Sequence, residues 1–458
     1  MTSIHQPPSA RFPGPLSKAM LDELARYVIT DPFPFAVDLA ASRGMWLATV
    51  DGDRLFDWTG LYASHLLGYN HPRLSEPDYV RRLVVAANTK MCNPDYLTRE
   101  CLDYYRLIHE LAPVCMRNPR LEVYTVNSGA EAVENMMKYL INLHDQKLLK
   151  LGRLPTARRF LYFDQAFHGR TVFALNVTQM AHDPVVTKDF HGFVPGNIQV
   201  EFPAVHAHMP ADEQSRITGK CLDTVEDFLR RYAGEIVGII VEPIQGAGGH
   251  RVAQAEFFRG LSELAYRYEV GLGFDEVQTA GGPCGAFFAI DLFDLPHPPQ
   301  AVATAKKLGN GVVYMLRPME DRGVLDSTWG GALADMVRFV EEMKIVREER
   351  LIEHAPAKAD HLCRRLDDLC ARYPDRIFNR RGLGLYQGFS LPSRAMKARL
   401  LDIALEQQDL LMIGAGVDSI RLRPTLDVTH DEIDLFADKL EAALRQLRIE
   451  NQELRIRN

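Results

Sequence analysis

Four short segments of this 458-residue chain carry residue types able to do chemistry. Val126-Asn127-Ser128-Gly129-Ala130 follows an apolar run and opens a helical pattern with Val133, Met136, Met137, Leu140 and Ile141 on one side. Such a Ser-Gly turn frees backbone N–H groups at the positive end of a helix dipole, which suits a phosphate as well as a plain capped N-terminus. In Phe163-Asp164-Gln165-Ala166-Phe167-His168-Gly169-Arg170-Thr171, Phe167 offers a stacking face and Arg170 a carboxylate fork. His168 taken alone reads equally as a hydrogen-bonded structural histidine. Gly273-Phe274-Asp275-Glu276-Val277-Gln278 places a carboxylate at the end of an apolar run. A buried carboxylate there needs a partner, and a protonated pyridine nitrogen or an arginine would serve. Last, Thr304-Ala305-Lys306-Lys307-Leu308-Gly309-Asn310-Gly311 sets two lysines before a glycine turn. A buried lysine with a lowered pKa forms Schiff bases, whereas a Lys-Lys pair on the surface is merely solvated.

Each signal is modest alone, but their order is specific. A phosphate turn, an aromatic–His pair, a strand-end Asp and a lysine about 30 residues later form the set that pyridoxal phosphate (PLP) requires.

The elements that must position these residues are legible in outline. Glu122–Val126, Phe160–Phe163, Ile236–Val241 and 270–274 read as apolar strands separated by helices, the pattern of a mostly parallel α/β sheet. Met45–Trp58 reads as two strands around an Asp-Gly turn, and 16–29 as a helix after a Pro-rich arm. Helical patterns cover 75–111 with a break at Asn93-Pro94, then 332–349, 352–373 and 429–452; 384–391 and 419–422 read as strands. The expected division is an arm and part of a small domain over 1–75, a large domain over 76–335, and the rest of an α+β small domain over 336–458.

The chain resembles the class III aminotransferases, PLP enzymes of the fold type I architecture. The resemblance runs through Asp57-Trp58, Gly68-Tyr69-Asn70-His71-Pro72, SGAEAVEN (128–135), AFHGRT (166–171), VEPIQGAGG (241–249), DEVQ (275–278), AKKLGNG (305–311), STWGG (327–331), RGLGLYQG (381–388) and SIRLRPTL (419–426). FHGRT, the lysine pair and STWGG look most like the branch of lysine 6-aminotransferase and 4-aminobutyrate aminotransferase. That resemblance implies Lys306 as the Schiff-base lysine, with Lys307 the competing assignment, and Asp275 as partner of the pyridine nitrogen. It implies Gln278 at the ring oxygen, Phe167 on the ring face, and His168 and Glu242 beside the cofactor. Ser128, Gly129 and Ala130 would take the phosphate, helped by Thr328 from the partner subunit of a homodimer. Arg170 would bind the donor's far carboxylate and Arg421 the carboxylate next to the acceptor's keto group, with Tyr62 and Ala247 also at the substrate. Ala247 stands where this branch carries a glutamate that pairs with that arginine. Ala280 and Gln300 depart from the family's usual glycine and aspartate. The implied reaction is ping-pong transamination of a terminal amino group to a 2-oxo acid; amine–pyruvate transamination, decarboxylation or aminomutase chemistry is the alternative.

Composition fits this reading without requiring it. A net charge of −7 argues against nucleic acid or anionic membrane as partner. Seven cysteines without a CxxC pair suit reduced thiols in the cytoplasm, and the N-terminus lacks a secretory apolar stretch. Gly382-Leu383-Gly384 is too little for a dinucleotide fingerprint, and His206-Ala207-His208 too little for zinc.

Overall fold

A computed structural model describes residues 11–186 and 196–447. Its centre is a seven-stranded sheet in the order Glu122–Val126, Gly311–Met315, Ala301–Thr304, Gly271–Asp275, Ile236–Val241, Arg159–Phe163, Ile198–Val200. Only Gly311–Met315 runs against its neighbours; the other pairings are parallel. All six residues of Ile236–Val241 are buried, as expected of a strand covered on both faces.

Helix Gly129–Lys150 crosses this sheet with Val133, Met136, Met137 and Leu140 buried beneath it. Ser128 starts it by accepting the N–H of Glu131 on its hydroxyl (3.2 Å), and Lys147 and Lys150 complement the dipole at its end. Glycines in the strands beneath make room for this helix. A Cβ on Gly238 would stand 2.8 Å from Leu140, and one on Gly273 2.8 Å from Met136. Burying side chains of this size contributes roughly 1.5–3 kcal/mol each.

A second sheet, Phe378–Leu383, Tyr386–Ser390, Ser419–Leu422 and Ile413–Ala415, is antiparallel throughout. A third joins Val37–Arg43, Trp46–Thr49 and Arg54–Asp57 to Leu410–Leu411, which pairs in parallel with Arg54–Asp57. Gly382-Leu383-Gly384 forms the corner of a β-hairpin rather than opening a helix, so it binds no dinucleotide in the manner of that motif. The expected helix 75–111 is two, Pro77–Asn88 and Arg99–Glu110, split at the anticipated Asn-Pro. The C-terminal helix is described to Gln446, and 448–452 of its expected span lie outside the described residues. Among the described residues, no helix is long and apolar enough to cross a membrane.

Candidate active site

Parallel strands bring their carboxyl ends to one edge of the sheet, and the chemistry collects there. Ser128 follows Glu122–Val126, Phe167 and His168 follow Arg159–Phe163, Glu242 follows Ile236–Val241, Asp275 closes Gly271–Asp275, and Lys306 follows Ala301–Thr304. A cavity of about 310 Å³ opens at this edge. Ser128, Gly129, Ala130, Phe167, His168, Arg170, Glu242, Asp275, Gln278 and Lys306 all line it. Asn127, Gly169, Val277, Ala305, Gly309 and Asn310, which stand in those motifs but receive no role from the sequence, complete the wall.

Asp275 is buried and its Oδ1 accepts the N–H of Val277 at 3.0 Å. Its Oδ2 accepts from Nδ1 of His168 at 2.8 Å, leaving His168 Nε2 buried without a partner. His168 is therefore both the hydrogen-bonded histidine and part of the cavity wall. Glu242 accepts the N–H of Phe167 at 2.9 Å; burial, only partly offset by His168, raises its pKa. Alternation along the strand turns Glu276 to the opposite side, where it takes the hydroxyl of Thr279 and the N–H of Ile290.

The two lysines part company. Lys306 faces the cavity with φ +47°, and burial together with the charge of Arg421 lowers its pKa to about 7. Lys307 is buried away from the cavity, donating to the Gln278 carbonyl at 2.7 Å with its ammonium 5.0 Å from the Tyr386 ring centroid.

Arg421 and Arg423, two apart in an extended segment and so on one face, are both buried behind this site. That i, i+2 spacing was the available signal for Arg423. Burial lowers Arg421 to about 10 and Arg423 to about 9, and among the described residues neither forms an ion pair. Arg421 Nε has no hydrogen-bond partner. The Tyr62 ring lies 5.9 Å from its guanidinium, presented by a left-handed turn, Gly60–Ala63, in which four successive residues have φ of 51°, 46°, 60° and 70°. That conformation costs roughly 1–2 kcal/mol per non-glycine residue. Ala247, half-buried, is tied through its carbonyl to Gly416 N–H at 2.9 Å and offers Arg421 no charge. Tyr62, Ala247, Arg421 and the exposed Thr328 do not line the cavity. His208 of the candidate zinc pair instead bonds Asp367 at 3.0 Å, and no group of three potential metal ligands gathers among the described residues.

These groups fit PLP. A 22-residue helix opens at one wall with the Ser128–Ala130 amides, an acid pinned by His168 stands at another, and a lysine lowered to neutrality lies between strands. A Cβ at Gly129 would meet Val277 at 2.9 Å, so only glycine keeps that approach open.

Residues 29–444 match the family model of the class-III aminotransferases, and the chain belongs to that family. It is a PLP-dependent transaminase. It is 30% identical to the L-lysine-epsilon aminotransferase of Amycolatopsis lactamdurans, covering 95% of this chain and 98% of that enzyme. It is 29% identical to the 4-aminobutyrate aminotransferase of Dictyostelium discoideum, over 95% and 90% of the two chains. In structure it is similar to the lysine aminotransferase from M. tuberculosis in its internal aldimine form, with a TM-score of 0.87, 29% identity, and 94% and 100% of the two chains covered.

Proposed function

We propose that this enzyme moves a terminal amino group from a lysine-like or other ω-amino acid donor to a 2-oxo acid such as 2-oxoglutarate, in two half-reactions on one site. The observation that carries this reading is Lys306, near neutrality, in a cavity shared with Asp275 and the Ser128–Ala130 helix start, with two arginines at hand. The 4-aminobutyrate and L-lysine-epsilon relatives support a donor whose reacting amine is terminal.

When bound, PLP supplies an electron sink for the bond to be broken at the donor carbon. Lys306 would hold it through Nζ, Ser128, Gly129 and Ala130 at the phosphate, Asp275 at the ring nitrogen, Gln278 at the ring oxygen, and Phe167, with His168 and Glu242 beside it, at the ring. The Lys306 Nζ, its pKa lowered by burial to about 7, would take up the proton that leaves the donor carbon and give it back to complete the transfer. Asp275, oriented by the hydrogen bond that His168 donates to it, would pair with a positive ring nitrogen. Arg170, exposed at the cavity mouth, takes the donor's far carboxylate; Arg421, with Tyr62 5.9 Å from its guanidinium, takes the acceptor's carboxylate, and Ala247 also serves the substrate.

The functional unit is a homodimer in this proposal. Thr328 is exposed and outside the cavity of its own chain, in keeping with a role at the partner's phosphate site. The cysteines, all free thiols, suit the cytoplasm. A second reading, amine–pyruvate transamination, is favoured by Arg421, which has no ion pair among the described residues, and by Ala247, which carries no charge to supply one. A panel of amine donors with 2-oxoglutarate and pyruvate decides: glutamate formed from ω-amino donors supports the main reading and alanine the second. Release of CO₂, or product isomers without either amino acid, overturns both.

A further inference from the structure

Behind the cavity, a set of buried hydrogen bonds ends on Gln278, with Nε of Arg423 left without a partner. Arg423 is 1% exposed, and its Nη2 donates both to Nδ1 of His250 at 3.0 Å and to Oε1 of Gln278 at 3.3 Å. Its Nη1 donates to the Leu422 carbonyl at 2.9 Å, and its guanidinium sits 4.4 Å from the centroid of the Tyr386 ring. Nε2 of the fully buried His250 donates to the Tyr386 carbonyl at 3.1 Å. With Nε2 donating, Nδ1 must be the acceptor, so His250 is the neutral Nε2–H tautomer. Burial first, then the charge of Arg423, hold it neutral by pushing its pKa well down.

Gln278 is gripped twice. Lys307 donates to its backbone carbonyl at 2.7 Å while Arg423 donates to its side-chain oxygen. A flipped amide would set its N–H groups against those of Arg423, donor against donor. The committed Oε1 leaves Nε2 as the only end able to serve the cavity that Gln278 lines. The backbone makes room for this arrangement: a Cβ on Gly246 would lie 2.1 Å from Gln278 Oε1, and one on Gly388 2.6 Å from the His250 ring.

We infer that Arg423 is a positioning residue: oriented by His250, it locks the Gln278 amide so that only N–H donors face the ring oxygen of the cofactor. The inference rests on the reading of Gln278 as the ligand of that oxygen. An amide held this way favours the ionised ring oxygen, whereas a free amide rotates and favours it less.

The test is a double-mutant cycle on holoenzyme with Gln278→Ala, Arg423→Lys and the pair together. The readouts are the cofactor dissociation constant and the pH titration of the bound cofactor's visible absorbance. Each single variant is expected to weaken cofactor binding roughly tenfold and to shift the titration in the same direction, with the double variant no worse than Gln278→Ala. Roughly hundredfold, additive loss, or an unshifted titration in Arg423→Lys while Gln278→Ala moves it, overturns the inference alone. An unshifted Gln278→Ala overturns the reading of Gln278 and the inference with it. Should Arg423→Lys fail to give soluble enzyme, His250→Phe, which keeps the ring and removes the acceptor, completes the same cycle with the same outcomes.

Discussion

His168 and Asp275 are joined by a 2.8 Å hydrogen bond from Nδ1 to Oδ2, and both side chains are buried. Burial alone would lower the histidine's pKa, but the bond and the charges of Asp275 and Glu242 outweigh it and leave the value raised. A histidine raised on folding holds more proton in the folded state. Its contribution to stability is therefore complete below pH 6.5 and is lost as pH rises through the folded value. His168→Phe is expected to flatten that decline in the Tm of the cofactor-free protein above pH 6.5. It should also cut kcat at least tenfold, since Asp275 loses the donor that orients it. An unchanged Tm–pH profile would contradict this account.

Glu276, on the other side of the same strand, gives a separate test. Burial raises its carboxyl from 4.5 to about 7 despite the hydrogen bonds from Thr279 and Ile290. The fold therefore favours the protonated acid, and stability falls as pH rises from about 4.5 to 7. Full ionisation costs roughly 3 kcal/mol. Glu276→Gln should remove most of that slope, so the difference in Tm between pH 5 and pH 8 shrinks. A wild-type slope that persists in the variant would place the titrating group elsewhere.

The division of labour between the adjacent lysines predicts a chemical outcome. Borohydride reduction of the holoenzyme should fix the cofactor on Lys306, located by peptide mass spectrometry. Lys306→Ala should be colourless and take no label, while Lys307→Met keeps the label. Label on Lys307 would reverse the assignment. Lys307 has no path to this chemistry while it is buried on the Gln278 carbonyl.

How far the sequence foretold this site depended on the kind of signal. Apolar strands followed by Ser-Gly, His-Gly-Arg and Asp were legible because each motif sits at a strand end, where parallel topology forces convergence. The choice between Lys306 and Lys307 was not legible from residue types, since it turns on the φ of +47° at Lys306, a backbone property that the letters do not carry. Strand Gly311–Met315 was missed because its apolar run follows the lysine turn at once, and its reversed direction follows from tertiary pairing. Arg423 and His250 were passed over because neither touches the cavity; they act through Gln278.

Ala247 predicts donor preference. An added carboxylate at this position would give Arg421, now without a charged partner among the described residues, a neutralising contact while an ω-amino donor is bound. Ala247→Glu should raise the rate of the donor half-reaction relative to that with 2-oxoglutarate by about tenfold, measured by stopped-flow absorbance. Equal rates before and after the substitution would remove Ala247 from any part in selectivity. Conversely, Arg421→Leu should raise the KM for 2-oxoglutarate by two orders of magnitude or more and leave the bound cofactor's colour in place.

The pairing of Leu410–Leu411 with Arg54–Asp57 joins strands about 350 residues apart in sequence. Phe56 N–H bonds the Asp409 carbonyl at 2.7 Å, Trp58 N–H bonds Leu411 at 2.9 Å, and the Trp58 ring stacks on Phe436 at 3.9 Å. During synthesis the first hairpin must therefore wait, its Phe56 and Trp58 uncovered and one strand edge open, until residues beyond 409 leave the ribosome. Loop closure over such a span is slow. The nascent enzyme thus passes a long interval with a sticky edge, and a ribosome stalled before residue 409 would release a chain that cannot bury it.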